Sequence, residues 1–145
     1  MVILIRIKKP MKERMKRIAF ATALVLCLSV VLTACSAGPS LNVTITDFAY
    51  TPNAWTVPAG ATVTIKARND GSVEHEFAIM KLGTSVTPPF GDKDEGNIFW
   101  ELDEIGAGTT KSATFTAPTE PGEYEVICGL AGHIEKGMVG KLTVK

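Results

Sequence analysis

From residue 41 onward the chain alternates apolar and polar positions. LNVTITDF (41–48) sets Leu41, Val43 and Ile45 on one face and Asn42, Thr44 and Thr46 on the other; ATVTIKA (61–67) repeats the pattern with Val63 and Ile65. A period of two marks a half-buried strand. VEHEFAIM (73–80), SATFTA (112–117), GEYEVIC (122–128) and GKLTVK (140–145) are further runs rich in β-branched or aromatic residues. Turn-forming clusters fall between them, at Pro58-Ala59-Gly60, Asn69-Asp70-Gly71, Gly106-Ala107-Gly108 and Pro118 to Gly122. No segment sustains a helical period. The expected fold is therefore all-β, an antiparallel sandwich of seven or eight strands. GTSVTPPFGDKDEGNIF (83–99) is the one long irregular stretch, and loops of that length usually carry function or mobility.

The first residues obey a different rule. KKPMKERMKR (8–17) is strongly basic, and IAFATALVLCLSVVL (18–32) is an uninterrupted apolar run. At about fifteen residues that run is shorter than the roughly twenty a membrane-spanning helix needs. A basic region, an apolar region and small residues before a cleavage point describe a secretory signal. The basic region is long enough that Met11 or Met15 could be the start. Leu32-Thr33-Ala34-Cys35 resembles the bacterial lipobox, which implies a lipoprotein signal peptide over 1–34 and lipidation of Cys35. Residues 35–40 then form the lipidated cysteine and a short tether, and 41–145 the folded domain. The 111 residues from Cys35 onward suit one domain with a modest core.

Charge divides at the same place. Seven of the 15 basic residues and one of the 15 acidic residues precede Cys35, leaving eight against fourteen in the remainder. An acidic domain of this kind is a poor match for nucleic acid, whose phosphates call for a basic surface. Of three cysteines, Cys27 falls in the leader and Cys35 at the lipid site. Cys128 is left without a disulfide partner in a chain read as exported, where paired cysteines are the habit.

Cys128 stands in ICGLAGHIEKGMVGK (127–141), where Cys128, His133 and Met138 follow one another at intervals of five. The second of the chain's two histidines, His75, shares a strand face with Phe77 and Ile79. The same alternation places Cys128 with Tyr124 and Val126, and Met138 with Leu142 and Val144. Singly, each is a residue that a core could hold. Jointly they gather one thiol, two imidazoles and one thioether, and a trigonal His₂Cys site with a weak axial Met is the blue-copper arrangement. Gly132 and Gly137 permit the sharp turns such a loop demands. Met80 is the rival thioether, but alternation sets it on the face opposite His75.

EYEVICGLAGHIEKGMVGKLTV resembles the C-terminal copper loop of the cupredoxins, and FAYTPNAWTVPAGATVTIKARNDGSVEHEF resembles the strands leading to their first ligand histidine. The likeness covers residues 41–145. It implies an eight-stranded Greek-key sandwich, His75, Cys128 and His133 as equatorial ligands, Met138 as the axial one, and one type 1 copper cycling between Cu(I) and Cu(II). Two departures stand out. The plastocyanin pattern has Asn after the first ligand histidine, where this chain has Glu76. The 83–99 loop is longer than in plastocyanin and more like the auracyanin and rusticyanin branches.

The implied function is single-electron transport rather than catalysis, by a monomer at the outer face of a membrane, periplasmic or extracellular, held by its lipid. Its partners are expected to be transient redox proteins, membrane complexes or cytochromes. His133, on a loop, is the expected electron port, with Leu130, Ala131 and Ile134 as an apolar docking rim. The acidic run DKDEG (92–96) suits a solvated loop. The competing reading is a module for copper delivery or storage; only two methionines beyond the leader weigh against it. A binuclear copper centre would place a second cysteine where Gly132 stands.

Overall fold

The alternating segments pair into two sheets in the computed structural model, which describes residues 38–145. The expected signal peptide over 1–34, with Cys27, the expected lipid site Cys35 and the start of the expected tether lie outside the described residues. The strands are β1 (Ser40–Thr46), β2 (Ala49–Thr51), β3 (Ala54–Val57), β4 (Thr62–Asn69), β5 (His75–Met80), β6 (Ile98–Ile105), β7 (Thr110–Thr116), β8 (Gly122–Ile127) and β9 (Val139–Val144). One sheet has the order β2-β1-β4-β7 and the other β3-β9-β8-β5-β6. A single helical turn, α1 (Asp92–Glu95), interrupts the long loop.

The all-β sandwich expected from the pattern is the fold observed, with two differences of detail. Nine strands rather than seven or eight are present among the described residues. Three of them, β2, β3 and β6, are not among the runs named from the pattern: β2 and β3 lie either side of Pro52 in FAYTPNAWTV, and β6 takes up the end of the irregular stretch. The pairing is also mixed: β1 runs parallel to β4 and β3 parallel to β9, while the other pairs are antiparallel. Parallel neighbours arise because β1 and β3 sit at opposite ends of one segment that crosses from sheet to sheet, a connection that side-chain period cannot encode.

The inner faces meet where the alternation sends them. Ile45, Val63, Ile65, Phe77, Ile79, Val126 and Leu142 are fully buried in one cluster that also holds Cys128 and Met138. Each such side chain contributes about 1.5–3 kcal/mol relative to exposure. Tyr50, Trp55 and Phe77 add an edge-to-face trio with ring centroids 5.1–6.2 Å apart.

A second cluster accounts for the irregular stretch. Ala78, Met80 and Ile127 point out of the other face of β5 and β8, and Val86 and Ile134 cover them, with Phe90 and Ile98 packed alongside. Glu125 fastens this covering: its carboxylate accepts from the Val86 N–H at 2.8 Å and from Ser85 Oγ at 3.3 Å. Thus β5 is buried on both faces, with only Glu76 partly open. No helix among the described residues is long and apolar enough to cross a membrane.

Candidate metal centre

Each donor is placed by a different backbone device. His75 opens β5, an interior strand of its sheet. Ahead of it, the buried Asn69 side chain organises the 70–74 turn. Its Nδ2 donates to Val73 O at 2.8 Å and Ile105 O at 2.7 Å, and its Oδ1 accepts from the Gly71 N–H at 2.8 Å. Cys128 follows β8 directly. From there the chain turns back into β9 through bonds such as His133 N–H to Leu130 O and Met138 N–H to His133 O, both 3.1 Å. Gly132 at φ +81° and Gly137 at φ +88° sit where side chains are strained, as the spacing anticipated.

These devices bring His75, Cys128 and His133 together, with one ligand atom of each all lying within 4.8 Å of one another. The Cys128 sulfur is 3.1 Å from His133 Nδ1, and the two imidazole centroids are 4.9 Å apart. His75, Cys128 and Met138 are fully buried, and His133 is 9% exposed. Met138 shares the apolar cluster of Cys128, whereas Met80 belongs to the second cluster.

The β5–β6 register slips between His75 and Phe77, so Glu76 sits in an irregularity of the ladder. Its N–H is directed to the Cys128 sulfur at 3.3 Å, a bond that favours a thiolate. Burial nonetheless pushes the Cys128 thiol up, against the pull of the Leu130 and Glu76 N–H groups. Burial first, then the proximity of His75 and Lys136, pushes His133 down, which keeps its imidazole neutral. A buried thiol beside a neutral imidazole is a site that ionises the cysteine when a cation arrives.

Behind this cluster the Glu76 carboxyl lies against Gly129, and burial first and then Glu101 push its pKa up, against the pull of the Gly129 N–H. This is what stands in place of the plastocyanin asparagine. On the solvent side, Phe48 (φ +71°) sets its ring edge-on to His75 and His133 at 6.2 and 5.1 Å, and Lys136 Nζ lies 3.7 Å from its centroid. The expected docking rim is only partly present: Ala131 is exposed and Leu130 half-buried, but Ile134 turns inward to the second cluster at 7% exposure. It is drawn in because the outer face of β5 and β8 is apolar and needs cover. Sequence reasoning missed Asp47, whose Oδ1 lies 3.4 Å from His75 Nε2. Nothing in a strand pattern signals a contact from a turn 28 residues away.

The cluster suits a soft metal ion on two counts. Its donors are a thiol and two imidazoles, with a thioether in the same core. His75 Nδ1 is also one of two buried side-chain polar atoms left without a hydrogen-bond partner among the described residues, the other being Trp55 Nε1. Leaving such an atom unsatisfied costs about 1–3 kcal/mol, and a bound cation satisfies it.

Comparison with known proteins agrees with the chemistry. The cupredoxin-like domain family matches residues 17–144. The copper-resistant cuproprotein CopI of Rubrivivax gelatinosus is 32% identical over 107 residues, which cover 66% of this chain and 59% of that protein. Auracyanin-A of Chloroflexus aurantiacus is 33% identical over 112 residues, 68% of each chain. The chain thus spans about three fifths to two thirds of the length of these relatives. Among solved structures, dithionite-reduced auracyanin from Roseiflexus castenholzii superposes with a TM-score of 0.63 at 29% identity, covering 76% of this chain and 99% of that one. The chain belongs to the cupredoxin-like family, and one type 1 copper is the metal that its clustered donors fit.

Proposed function

We propose that the protein carries single electrons through a mononuclear type 1 copper site, with His75, Cys128 and His133 as equatorial ligands and Met138 as the axial one. The observation that carries this reading is the convergence of the three ligand atoms within 4.8 Å. Bound there, copper supplies one-electron exchange between Cu(I) and Cu(II) with no bond made to a substrate. The chain's own part is to hold two donors on buried strand ends, to keep His133 neutral, to direct the Glu76 N–H at the sulfur and to exclude water with Phe48. Hydrogen bonds to the ligands and apolar cover around them tune a copper potential. The reading includes export, a lipid on Cys35 facing a periplasm or the exterior, a monomeric carrier and transient redox partners.

A second reading, copper delivery or storage, draws support from the likeness to a copper-resistant cuproprotein. Absorption and EPR spectra of the Cu(II)-loaded protein separate the two, together with a titration of the reduced protein against a Cu(I) chelator. An intense blue thiolate-to-copper band with narrow hyperfine splitting, reversible reduction and tight retention of Cu(I) is the result expected of a carrier. A colourless protein that takes only Cu(I) and yields it readily would overturn that reading in favour of delivery. In Cys128→Ser the blue band is expected to vanish.

A further inference from the structure

One ring nitrogen of His75, Nδ1, has no hydrogen-bond partner in the structure, and the other faces a carboxylate. Asp47 sits in the turn between β1 and β2, with its Oδ1 3.4 Å from His75 Nε2. That carboxylate is itself held. The Ser72 N–H donates to Oδ1 at 2.8 Å, and the Ser72 hydroxyl donates to Oδ2 at 2.6 Å. Ser72 in turn rides on the 69–73 turn that Asn69 ties to the Ile105 carbonyl. The approach requires the absence of a side chain at residue 71, since a β-carbon on Gly71 would stand 2.4 Å from Asp47 Oδ1. Three separate segments therefore aim one charged group at the back of one ligand candidate.

A neutral imidazole has one N–H and one lone pair. An acceptor at Nε2 draws the proton there and leaves the Nδ1 lone pair free, and Nδ1 is the atom left without a partner in the structure. His133 presents the same nitrogen, Nδ1, to the Cys128 sulfur. A carboxylate behind a ligand histidine also fixes the ring's orientation and raises its basicity. Its negative charge, one ring away from the metal, favours the more highly charged oxidation state.

The geometry points to Asp47 as a positioning residue of the metal centre: it holds His75 in the Nε2-protonated tautomer and lowers the reduction potential of the copper bound there. The second half rests on the copper reading of the site. The first half does not, because the tautomer exists in the metal-free protein.

Long-range ¹H–¹⁵N correlation of the imidazole nitrogens in the metal-free protein tests the first half. His75 is expected as the Nε2–H tautomer, and Asp47→Ala is expected to give a mixture of tautomers. In Asp47→Asn the amide oxygen can still accept, so the tautomer is expected to persist while the charge is gone. Potentiometry of the copper-loaded variants tests the second half: both are expected to keep a blue band and to show a higher midpoint potential than the parent. An Nδ1–H tautomer in the parent, or an Asp47→Ala variant with tautomer and potential both unchanged, would overturn the assignment. If Asp47→Ala does not fold, the potential of Asp47→Asn decides the second half, and an unchanged value overturns it. Failure of the parent to take copper would count against the proposed function, and the metal-free tautomer would still decide whether Asp47 positions His75.

Discussion

The Glu76 carboxylate occupies the space that a side chain at Gly129 would need: a β-carbon there would stand 3.1 Å from Glu76 Oε2 and 3.2 Å from the Phe90 ring. Gly129 has no positive φ to protect, so the demand is for room rather than conformation. Gly129→Ala is expected to destabilise the metal-free protein by about 1–3 kcal/mol, as overpacking does. Urea unfolding followed by tryptophan fluorescence reads this, and an unchanged midpoint would mean that Glu76 yields without strain.

Asn69 is fully buried and serves three backbone partners: Val73 O, Ile105 O and the Gly71 N–H. Asn69→Ala leaves all three to find others, and each unmet buried group costs about 1–3 kcal/mol. The expected loss is more than about 2 kcal/mol by denaturant titration, with copper affinity falling because the same turn leads into His75.

Copper is expected to stabilise the fold, because the donors are assembled only in the native state. At free copper a thousandfold above the dissociation constant, the gain is about 4 kcal/mol. Calorimetric melting with and without the metal measures it. Cys128→Ala is expected to abolish most of the increment while leaving the metal-free melting point within a few degrees of the parent, since a small side chain replaces another in the core.

Tyr124 links pH to stability. Its hydroxyl donates to Glu120 O at 2.6 Å, and burial, then the Glu120 charge, pushes its pKa above the ordinary 10.0. The folded chain therefore holds the neutral phenol more firmly than the unfolded one. That contribution is complete below pH 10 and declines as pH rises past it. Stability is expected to fall as pH rises past the ordinary tyrosine value of 10.0, and to fall less steeply in Tyr124→Phe. Tyr124→Phe should also lose about 1 kcal/mol at neutral pH with the hydrogen bond. Unfolding titrations at spaced pH values compare the two proteins.

Glu125 is expected to hold the 83–97 covering in place. In Glu125→Ala the Val86 amide loses its acceptor, and its hydrogen exchange is expected to speed by at least tenfold. Exchange at Ile79, in the middle of β5, is expected to stay slow. Equal acceleration at both amides would show that covering and strand open as one unit.

Much of this was legible in the chain because alternation and donor chemistry are local signals. Val63 and Ile65 went inward as their period required, and the spacing of Cys128, His133 and Met138 forecast a loop folded back on itself. What escaped was non-local. Alternation sets Met80 on the face opposite His75, and only the folding of Val86 and Ile134 over that face makes it a core. Ile134 was therefore misplaced as part of a docking rim. Asp47 carries no signal in the chain and Glu76 only that of standing in place of an asparagine, because their value lies in contacts with residues 28 and 53 positions away. The mixed pairing of β1 and β3 depends on how one segment crosses between sheets, which side-chain period does not record.

The burial of β5 between two apolar clusters has a consequence for how metal comes and goes. His75 is anchored on a strand that cannot withdraw without disrupting both clusters. Cys128, His133 and Met138 ride on a segment whose backbone hydrogen bonds are local turns, held to the clusters by the side chains of Cys128, Ile134 and Met138. Copper exchange should therefore follow the opening rate of residues 128–138 and be nearly independent of the global unfolding rate. The site behaves as a vice with one fixed jaw, and its release time is set by how readily Ile134 and Met138 leave their clusters.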